Sequence, residues 1–416
     1  MKKVKVFIPF SSTLNTGDAA ILLSTINSIK KAFANNCEII VASYQAKIAK
    51  KHYPEVNYMD FKGSFKDKIF KKGKTRIPRN YFILFFQLIF GFIPKILLTN
   101  FELQMLNSIK KADIILAPGG GYLTDSYYIQ FHLALFNYVI SKGKKLYFYA
   151  QSIGPFWKKT TCRFLKSIFL KTDFIILRDS ESVKNLKKLL VRIPKQCVLS
   201  VDEAFLLCSI NQETRVESKK IGISVRDWNF SNTKKSYKKS INNYKNNLKN
   251  ICEFLIKEYN YSITFISTCQ GRGEYKDDSV LALKIWNIVD EKYKKNITVN
   301  CEFHRPEELV ELFCEFDLFI GTRMHSIILN FLNLTPCLGI VYEFKTKELF
   351  NRITLGDYIF DMYSGNYDLF KSKVIKLIEN KSRIRQKLKV EIPKLQKLAR
   401  KNIESIKNDY FKNKKC

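Results

Sequence analysis

Short apolar segments alternate with helical patterns along most of this chain of 416 residues. The apolar segments are rich in β-branched and aromatic residues, which favour strands. Repeated strand–helix units of this kind predict a parallel sheet flanked by helices. In the first half of the chain, the predicted strands are residues 4–9, 38–42, 113–116, 145–149, 173–177 and 197–200.

The alternation starts again after a polar stretch at residues 209–219, which is the most natural linker. The chain therefore divides into an N-terminal βα domain, residues 1–208, and a C-terminal βα domain, residues 220–365. Residues 366–416 form a basic tail with helical apolar spacing. In the second domain, the predicted strands are residues 220–225, 261–267, 297–299, 316–320 and 336–341.

The formal charge of +33 restricts the partners that we expect for this chain. A strongly basic protein attracts nucleic acid, anionic membranes or small anions. Generally Lys-rich, solvated surfaces account for much of the excess, and no nucleic-acid-binding motif accompanies it. We therefore expect no nucleic-acid partner.

The ten cysteines are scattered, and none belongs to a CxxC motif. Several lie inside apolar strand or helix patterns. This distribution predicts reduced, buried thiols in a cytoplasmic enzyme, and neither a disulfide framework nor a zinc site. We expect no metal.

Residues 81–93 are apolar all round, and Pro94 and Lys95 follow them. At about 1.5 Å per residue, a helix of this length is too short for a bilayer core of about 30 Å. Two interpretations of an apolar helical insertion near residues 81–98 remain. It is either a core helix or a helix that lies peripherally on the inner face of an anionic membrane, beside the basic residues 66–79. Residues 62–80 are predicted to be an exposed loop.

A turn between a predicted strand and a predicted helix carries Arg323, His325 and Ser326. In an open α/β sheet, ligands bind at the carboxyl ends of strands, and helix N-termini there favour anions. The following predicted strand brings Tyr342 and Lys345 to the same edge. A proton-transferring side chain beside two cations suits an anionic substrate. A purely structural role for His325 is the alternative.

Loops at the ends of the N-terminal strands form a second group of candidates. Three consecutive glycines let a ligand or a second backbone approach closely, and Asp18, Asp179 and Ser180 are placed to cap helices. The loops predict one wall of a cleft, with a tight turn or a helix cap as the alternative for each. The candidates in this group are Asn15, Gly17, Asp18, Gly119, Gly120, Gly121, Gln151, Ser152 and Arg178.

The ordered set of motifs resembles the polysaccharide pyruvyl transferase family. Two Rossmann-like βα domains that face each other across a cleft are also the plan of GT-B-type glycosyltransferases. The most specific part of the resemblance is the Arg323-x-His325 element, with Lys345 twenty positions after the histidine. The other matching elements are Asn15-Thr-Gly-Asp18, Pro118-Gly-Gly-Gly121, Gln151-Ser-Ile-Gly-Pro155, Arg178-Asp179 with Ser182, Asp202, Arg226, Ser326 and Tyr342.

The family transfers pyruvate from phosphoenolpyruvate to two sugar hydroxyls as a ketal and releases phosphate. The resemblance therefore implies an enzyme that acts on a cell-surface glycan or its lipid-linked precursor, without a further cofactor. It implies that His325 is the acid/base and that Lys345, Arg178 and Arg323 bind the donor's charged groups. The other implied substrate-binding residues are Asn15, Gly17, Asp18, Gly119, Gly120, Gly121, Gln151, Ser152, Arg226, Ser326 and Tyr342.

Two other functions remain open at this stage. A nucleotide-sugar-dependent glycosyltransferase of GT-B type would have the same two domains and a basic site for an anion. A non-enzymatic scaffold that binds glycans or a membrane surface would explain the net charge and the apolar segment. Because fold does not determine function, donor specificity must decide between these possibilities.

Overall fold

The computed structural model describes residues 3–59, 73–210, 217–227, 234–271 and 276–412. The chain forms two compact units, and each contains its own parallel sheet. Unit 1 comprises Met1–Thr13, Ile21–Glu203 and Leu398–Cys416, and unit 2 comprises Leu14–Ala20 and Ala204–Lys397.

The sheet of unit 1 has the strand order β2-β1-β3-β5-β6-β7, and β4 pairs with β5. Every pairing is parallel, and most strand residues are buried. Strands covered on both faces need apolar side chains on both, which explains the continuous apolar runs in the sequence. The strands are β1 (Val4–Ile8), β2 (Cys37–Val41), β3 (Ile114–Ala117), β4 (Gly120–Leu123), β5 (Lys145–Ile153), β6 (Phe174–Leu177) and β7 (Cys197–Leu199).

Helices pack on this sheet around a core of large aromatic side chains. Phe148 of β5 contacts Phe136 and Phe169, with ring centroids 5.1 and 5.0 Å away. The helices are α1 (Thr16–Ala32), α2 (Ala46–His52), α3 (Gly73–Ile89), α4 (Asn100–Lys111), α5 (Gln130–Ser141), α6 (Lys159–Lys171) and α7 (Ser180–Leu190), with short 3-10 helices at Lys95–Leu97 and Glu203–Leu206.

The sheet of unit 2 has the order β10-β9-β8-β11-β12-β13, again with parallel pairings. Its strands are β8 (Lys220–Ser224), β9 (Ser262–Phe265), β10 (Ile297–Val299), β11 (Leu318–Gly321), β12 (Cys337–Val341) and β13 (Ile359–Asp361). Its helices are α8 (Lys234–Tyr259), α9 (Asp278–Ile288), α10 (Glu291–Lys294), α11 (Pro306–Phe313), α12 (Met324–Leu332), α13 (Phe344–Arg352) and α14 (Tyr367–Glu379), with 3-10 helices at Gly356–Tyr358 and Met362–Ser364. The last helix, α15 (Lys381–Lys412), belongs to unit 2 up to Lys397 and to unit 1 from Leu398 onwards.

The predicted fold class, two parallel α/β units and a C-terminal helix, is confirmed. One error concerns the glycine-rich turn, which forms the short strand β4 because Gly120 and Leu123 pair with Gln151 and Ile153 of β5. Another concerns the predicted loop at residues 62–80. Residues 62–72 lie outside the described part of the chain, whereas residues 73–80 are the first two turns of α3.

Of the two predicted helix caps at Asp179 and Asp18, the structure confirms only the first. Asp179 caps α7, because its side chain accepts a hydrogen bond of 2.7 Å from the backbone N–H of Ser182. Asp18 lies inside the first turn of α1, and Asn15 instead accepts a bond of 3.0 Å from the N–H of Gly17. The sequence therefore predicts the cap of α1 three residues too late, at Asp18 instead of Asn15.

The apolar segment forms the last part of α3 and the chain that follows it. Across the described residues, no helix is both long enough and apolar enough to cross a bilayer. The helix ends at Ile89, and the 3-10 turn at Lys95–Leu97 leads into α4.

A buried carboxyl group connects α15 to the core of unit 1. Ser28 and Tyr149 each donate a hydrogen bond of 2.7 Å to Glu203 Oε1, and the amide of Asn402 donates to Oε2 at 2.9 Å. Burial raises the pKa of Glu203 from its ordinary 4.5 to about 7, although these hydrogen bonds oppose the shift. The folded unit therefore holds this proton more tightly than the unfolded chain does.

This shift predicts a pH-dependent stability. Since the pKa is raised on folding, the contribution of Glu203 to stability is full below pH 4.5 and is lost as the pH rises through about 7. Glu203→Gln has no charge to bury, so its stability relative to the natural chain should rise by about 2 kcal/mol between pH 5 and pH 8. Urea unfolding at both pH values measures this difference, and Glu38→Gln, at a more exposed site in β2, is the control. An unchanged difference between the two pH values would contradict the prediction.

Candidate active site

Three adjacent strands of unit 2 end at one edge of its sheet. The strand β11 lies between β8 and β12, and Gly321 is paired with Ser224 on one side and with Gly339 on the other. The segments that leave these strands carry six predicted site residues to the same edge. They are Arg226 after β8, Arg323, His325 and Ser326 after β11, and Tyr342 and Lys345 after β12.

A chain of buried hydroxyl groups fixes the turn between β11 and α12. Ser326 Oγ donates to the carbonyl of Arg323 at 2.6 Å, and it lies 2.7 Å from Ser224 Oγ. The backbone N–H of Thr322 in turn donates to Ser224 Oγ at 3.1 Å. Because the proton of Ser326 is used within the turn, the structure shows a positioning role for this residue.

Arg323 is held by a carboxylate from another helix. Its Nε and Nη2 atoms each donate a bond of 2.7 Å to the carboxylate of Asp278, which begins α9 and also accepts from Ser267 Oγ at 2.7 Å. Burial by itself disfavours the guanidinium charge, but Asp278, and to a smaller extent Asp18, keep the pKa of Arg323 above its usual value. Arg323 is thus charged, and Asp278 neutralises it.

The first turn of α1 lies directly against the ring of His325. A Cβ atom on Gly17 would be 2.6 Å from His325 Nδ1, which is too close for any side chain. Two bonds hold this turn, because Thr16 donates its N–H to the carbonyl of Thr268 at 3.0 Å and its hydroxyl to that of His304 at 2.9 Å. The glycine of the Asn15-Thr-Gly-Asp18 motif is therefore needed for the approach to the histidine.

Two partly exposed cations share one carboxylate at this edge. Glu343 lies 3.5 Å from Arg226 Nη1 and 3.2 Å from Lys345 Nζ, measured from its two Oε atoms. The guanidinium of Arg226 also stacks over the ring of Tyr342, 4.5 Å from its centroid. The group has a net positive charge and lies at the N-terminus of α13, so it favours an anion.

Sequence reasoning missed several residues that build this edge. Asp278, Glu343 and Ser224 contact the predicted residues, and the hydroxyl of Tyr244 in α8 lies 2.7 Å from Thr322 Oγ1. Among these residues, only Glu343 could have been found from the sequence, because it lies between the predicted site residues Tyr342 and Lys345. The other three come from distant parts of the chain.

Cys269, in the loop after β9, is a thiol whose pKa Arg323 and Asp278 influence. Burial, against the influence of Arg323, raises its pKa to about 11. It also donates to the carbonyl of Lys276 at 3.0 Å. A neutral, bonded thiol is a poor nucleophile.

The remaining predicted residues belong to unit 1. Arg178 follows β6, donates from Nε to Ser152 Oγ at 2.7 Å, and forms a buried ion pair with Asp202 through Nη1. Ser152 Oγ donates to Asp179 at 2.5 Å. In this arrangement Arg178 is neutralised and buried, as Arg323 is in unit 2.

The glycine turn and Gln151 lie at the same sheet edge of unit 1. The side-chain amide of Gln151 donates to the backbone carbonyl of Pro118, and the backbone carbonyl of Gln151 accepts from the N–H of Arg178 at 3.0 Å. A Cβ atom on Gly119 would be 3.0 Å from the side chain of Ile21 and 3.1 Å from the carbonyl of Tyr149. Gly120 has φ +140°, and Gly121 follows it in β4. Gly119 thus permits close packing within the unit, and Gly120 permits a backbone conformation that other residues rarely adopt.

The predicted residues are therefore distributed over the two units. Within the described residues, no group of three or more His, Cys, Asp or Glu side chains is arranged to hold a metal ion. Unit 2 contains Asn15, Gly17, Asp18, Arg226, Arg323, His325, Ser326, Tyr342 and Lys345, whereas unit 1 contains Gly119, Gly120, Gly121, Gln151, Ser152 and Arg178.

Comparisons with known proteins give similarities in sequence and in fold. A family model described as polysaccharide pyruvyl transferase matches residues 15–343. Amylovoran biosynthesis protein AmsJ of Erwinia amylovora is 26% identical over 316 residues, which cover 72% of this chain and 73% of that protein.

The solved structures with a similar fold share little sequence with this chain. The UDP-GlcNAc 2-epimerase of Neisseria meningitidis has a TM-score of 0.59 at 10% identity, covering 97% of this chain and 99% of its own. A glycosyltransferase from Rickettsia africae has a TM-score of 0.58 at 10% identity, covering 99% and 100%. These similarities confirm the predicted GT-B-like fold.

The contact between Gly17 and His325 leads to a direct prediction. Gly17→Ala places a methyl group within the space of the imidazole, so the ring must move, and overpacking of this kind costs about 1–3 kcal/mol. We expect a lower unfolding free energy and a shifted imidazole NMR signal for His325. Asn27→Ala, on the exposed side of α1, should leave both unchanged or slightly increase stability. An unperturbed imidazole signal in Gly17→Ala would contradict the contact.

Proposed function

This chain belongs to the polysaccharide pyruvyl transferase family, and we propose that it transfers pyruvate from phosphoenolpyruvate to two hydroxyl groups of a glycan. The product is a cyclic ketal, and phosphate is released. The family match and the similarity to an amylovoran biosynthesis protein support a transferase that modifies a polysaccharide or its lipid-linked precursor. The observation that carries the proposal is the pair of cations on Glu343, at the sheet edge that also carries His325.

The donor's negative charge requires cations that a ligand can reach. Arg323 is buried and forms two hydrogen bonds with Asp278, whereas Arg226 and Lys345 are partly exposed and lie beside Glu343. In our proposal, the phosphate and carboxylate groups of phosphoenolpyruvate bind Arg226 and Lys345, with Glu343 holding both cations in place beforehand. Arginine can grip such groups with two parallel hydrogen bonds, and lysine adds a compact charge.

The reaction requires two proton transfers that His325 is suited to perform. A proton is added to the terminal carbon of the enol, which makes the neighbouring carbon electrophilic, and the first hydroxyl adds there as it loses its proton. The second hydroxyl then replaces phosphate and also loses a proton, which phosphate takes up. An imidazole has one nitrogen that can donate a proton and one that can accept a proton, so it can give and accept these protons in turn. The contact with Gly17 fixes the ring's position.

We also propose a cytoplasmic location for the reaction. None of the nine cysteines in the described ranges forms a disulfide. Reduced thiols are typical of cytosolic proteins.

Donor binding can be tested without knowing the acceptor. Titration calorimetry should show saturable binding of phosphoenolpyruvate that is weakened about tenfold or more in Lys345→Ala, because a charge contact is lost. Lys347→Ala is the matched control, since it removes the same charge from an exposed position of the same helix. Equal weakening in both variants, or binding of UDP-sugars instead, would contradict the proposal; the latter would favour the nucleotide-sugar transferase.

A variant of His325 can distinguish an effect on catalysis from an effect on donor binding. His325→Asn should reduce phosphate release from phosphoenolpyruvate, supplied with a lipid-linked glycan extract, by about 10²–10⁴-fold. Calorimetric binding of phosphoenolpyruvate should change little, because the cations remain. His304→Asn, in the loop before α11, is a control for general loss of a histidine. A fully active His325→Asn enzyme would exclude the assignment.

A further inference from the structure

Helix α3 has one buried face and, opposite it, an exposed face that is apolar. Arg79, Asn80, Ile83, Leu84 and Gln87 form the buried face, which lies against α5. On the opposite face, large apolar side chains follow one another at helical spacing and are 43–58% exposed. These exposed residues are Tyr81, Phe82, Phe85, Leu88 and Ile89.

The exposed face continues beyond the end of the helix. Phe90, Phe92 and Ile96 are 57%, 48% and 77% exposed. The partly buried ring of Phe86 connects them to the helix, because its centroid is 5.8 Å from that of Phe85, 5.6 Å from Phe90 and 6.0 Å from Phe92. The result is a continuous aromatic surface, and such patches indicate interaction sites more strongly than scattered apolar residues do.

Buried polar contacts hold this surface in place. Arg79 forms a buried ion pair with Glu102 of α4, with Nη1 and Nη2 at 2.9 and 2.8 Å from its two oxygens. Glu102 also completes a capping box with Thr99 at the start of α4. At the other side, the amide of Gln130 donates to the hydroxyl of Tyr81 at 3.1 Å. The aromatic face therefore belongs to a fixed helix.

The sequence of this segment is basic. Residues 68–101 contain no Asp or Glu, and residues 62–79 contain eight Lys or Arg and a single acidic residue, Asp67. Of these eight cations, Arg79 is used in the buried ion pair. Within the described part, Arg76 is exposed at the start of α3, and Lys95 is exposed between Phe92 and Ile96. An apolar face with a basic border complements a surface that is apolar inside and negatively charged outside.

We propose that the exposed face of α3, together with Phe90, Phe92 and Ile96, docks peripherally onto an anionic lipid bilayer. Phenylalanine and tyrosine side chains enter the boundary between headgroups and acyl chains, while lysine and arginine contact the anionic headgroups. A second copy of this chain is a poorer occupant. A symmetric contact through this face would bring two basic borders together with no acidic residue from 68 to 101 to pair with them.

Membrane docking goes beyond the proposed transfer reaction and is tested without any substrate. The full-length protein is sedimented with phosphatidylcholine vesicles and with vesicles that also contain phosphatidylglycerol. We expect binding to the anionic vesicles, little binding to the neutral ones, and weaker binding at high salt, because exposed charges are screened. Failure to bind the anionic vesicles would overturn the docking proposal and leave the transferase proposal untouched.

Matched variants separate this face from general surface hydrophobicity. Phe82→Ser/Phe85→Ser/Phe92→Ser should weaken vesicle binding by about tenfold or more, because each aromatic ring that enters the membrane contributes to partitioning. Ile48→Ser/Leu170→Ser/Ile193→Ser removes three side chains of unit 1 that are 42%, 53% and 43% exposed, and it should bind as the natural chain does. Equal binding by both triple variants would overturn the proposal.

A third measurement keeps the test valid if the first triple variant is unstable. Phe85→Trp preserves the aromatic character of the face, and its added fluorescence should shift to the blue and be quenched by brominated lipids, relative to the natural chain. No added quenching would overturn the proposal. A concentration-dependent dimer that the first triple variant loses, with no vesicle binding by the natural chain, would assign the face to a second copy instead.

Discussion

The buried ion pair between Arg323 and Asp278 fixes the turn on which the candidate site of unit 2 is built. Two bonds of 2.7 Å orient the guanidinium, and the loss of one partner of such a pair typically costs about 3–5 kcal/mol. His325 lies two residues further, at the start of α12. Arg323 and Ser326 hold the backbone on either side of it, and its imidazole lies against Gly17.

The basic residues of this chain fall into two groups that differ in their surroundings. Arg79, Arg178 and Arg323 are each paired with a buried carboxylate and stabilise the fold. Arg226 and Lys345 are partly exposed and lie beside Glu343, so their charged groups remain accessible from solvent. The net charge of +33 cannot make this distinction, since it counts both groups equally.

The sequence pattern of the apolar segment also does not distinguish buried from exposed side chains. Its uniform hydrophobicity is compatible with a core helix and with a membrane-surface helix, and α3 combines a buried face with an exposed one. The basic residues before it were interpreted as a loop, although residues from Gly73 onwards are helical. Lysine and arginine are good helix formers, so their charge argues for exposure and not against a helix.

Local patterns in the sequence are enough to predict the two parallel sheets, most strand positions and the order of the site motifs. Apolar runs and strand–helix alternation are such patterns, and parallel strands bring their carboxyl ends to one edge. Which charged side chains meet depends on how distant segments pack. Arg178 and Asp202 are 24 residues apart, and Arg323 and Asp278 are 45 apart, so no local pattern reveals these pairs. The need for glycine at position 17 likewise arises from a ring more than 300 residues away in the sequence.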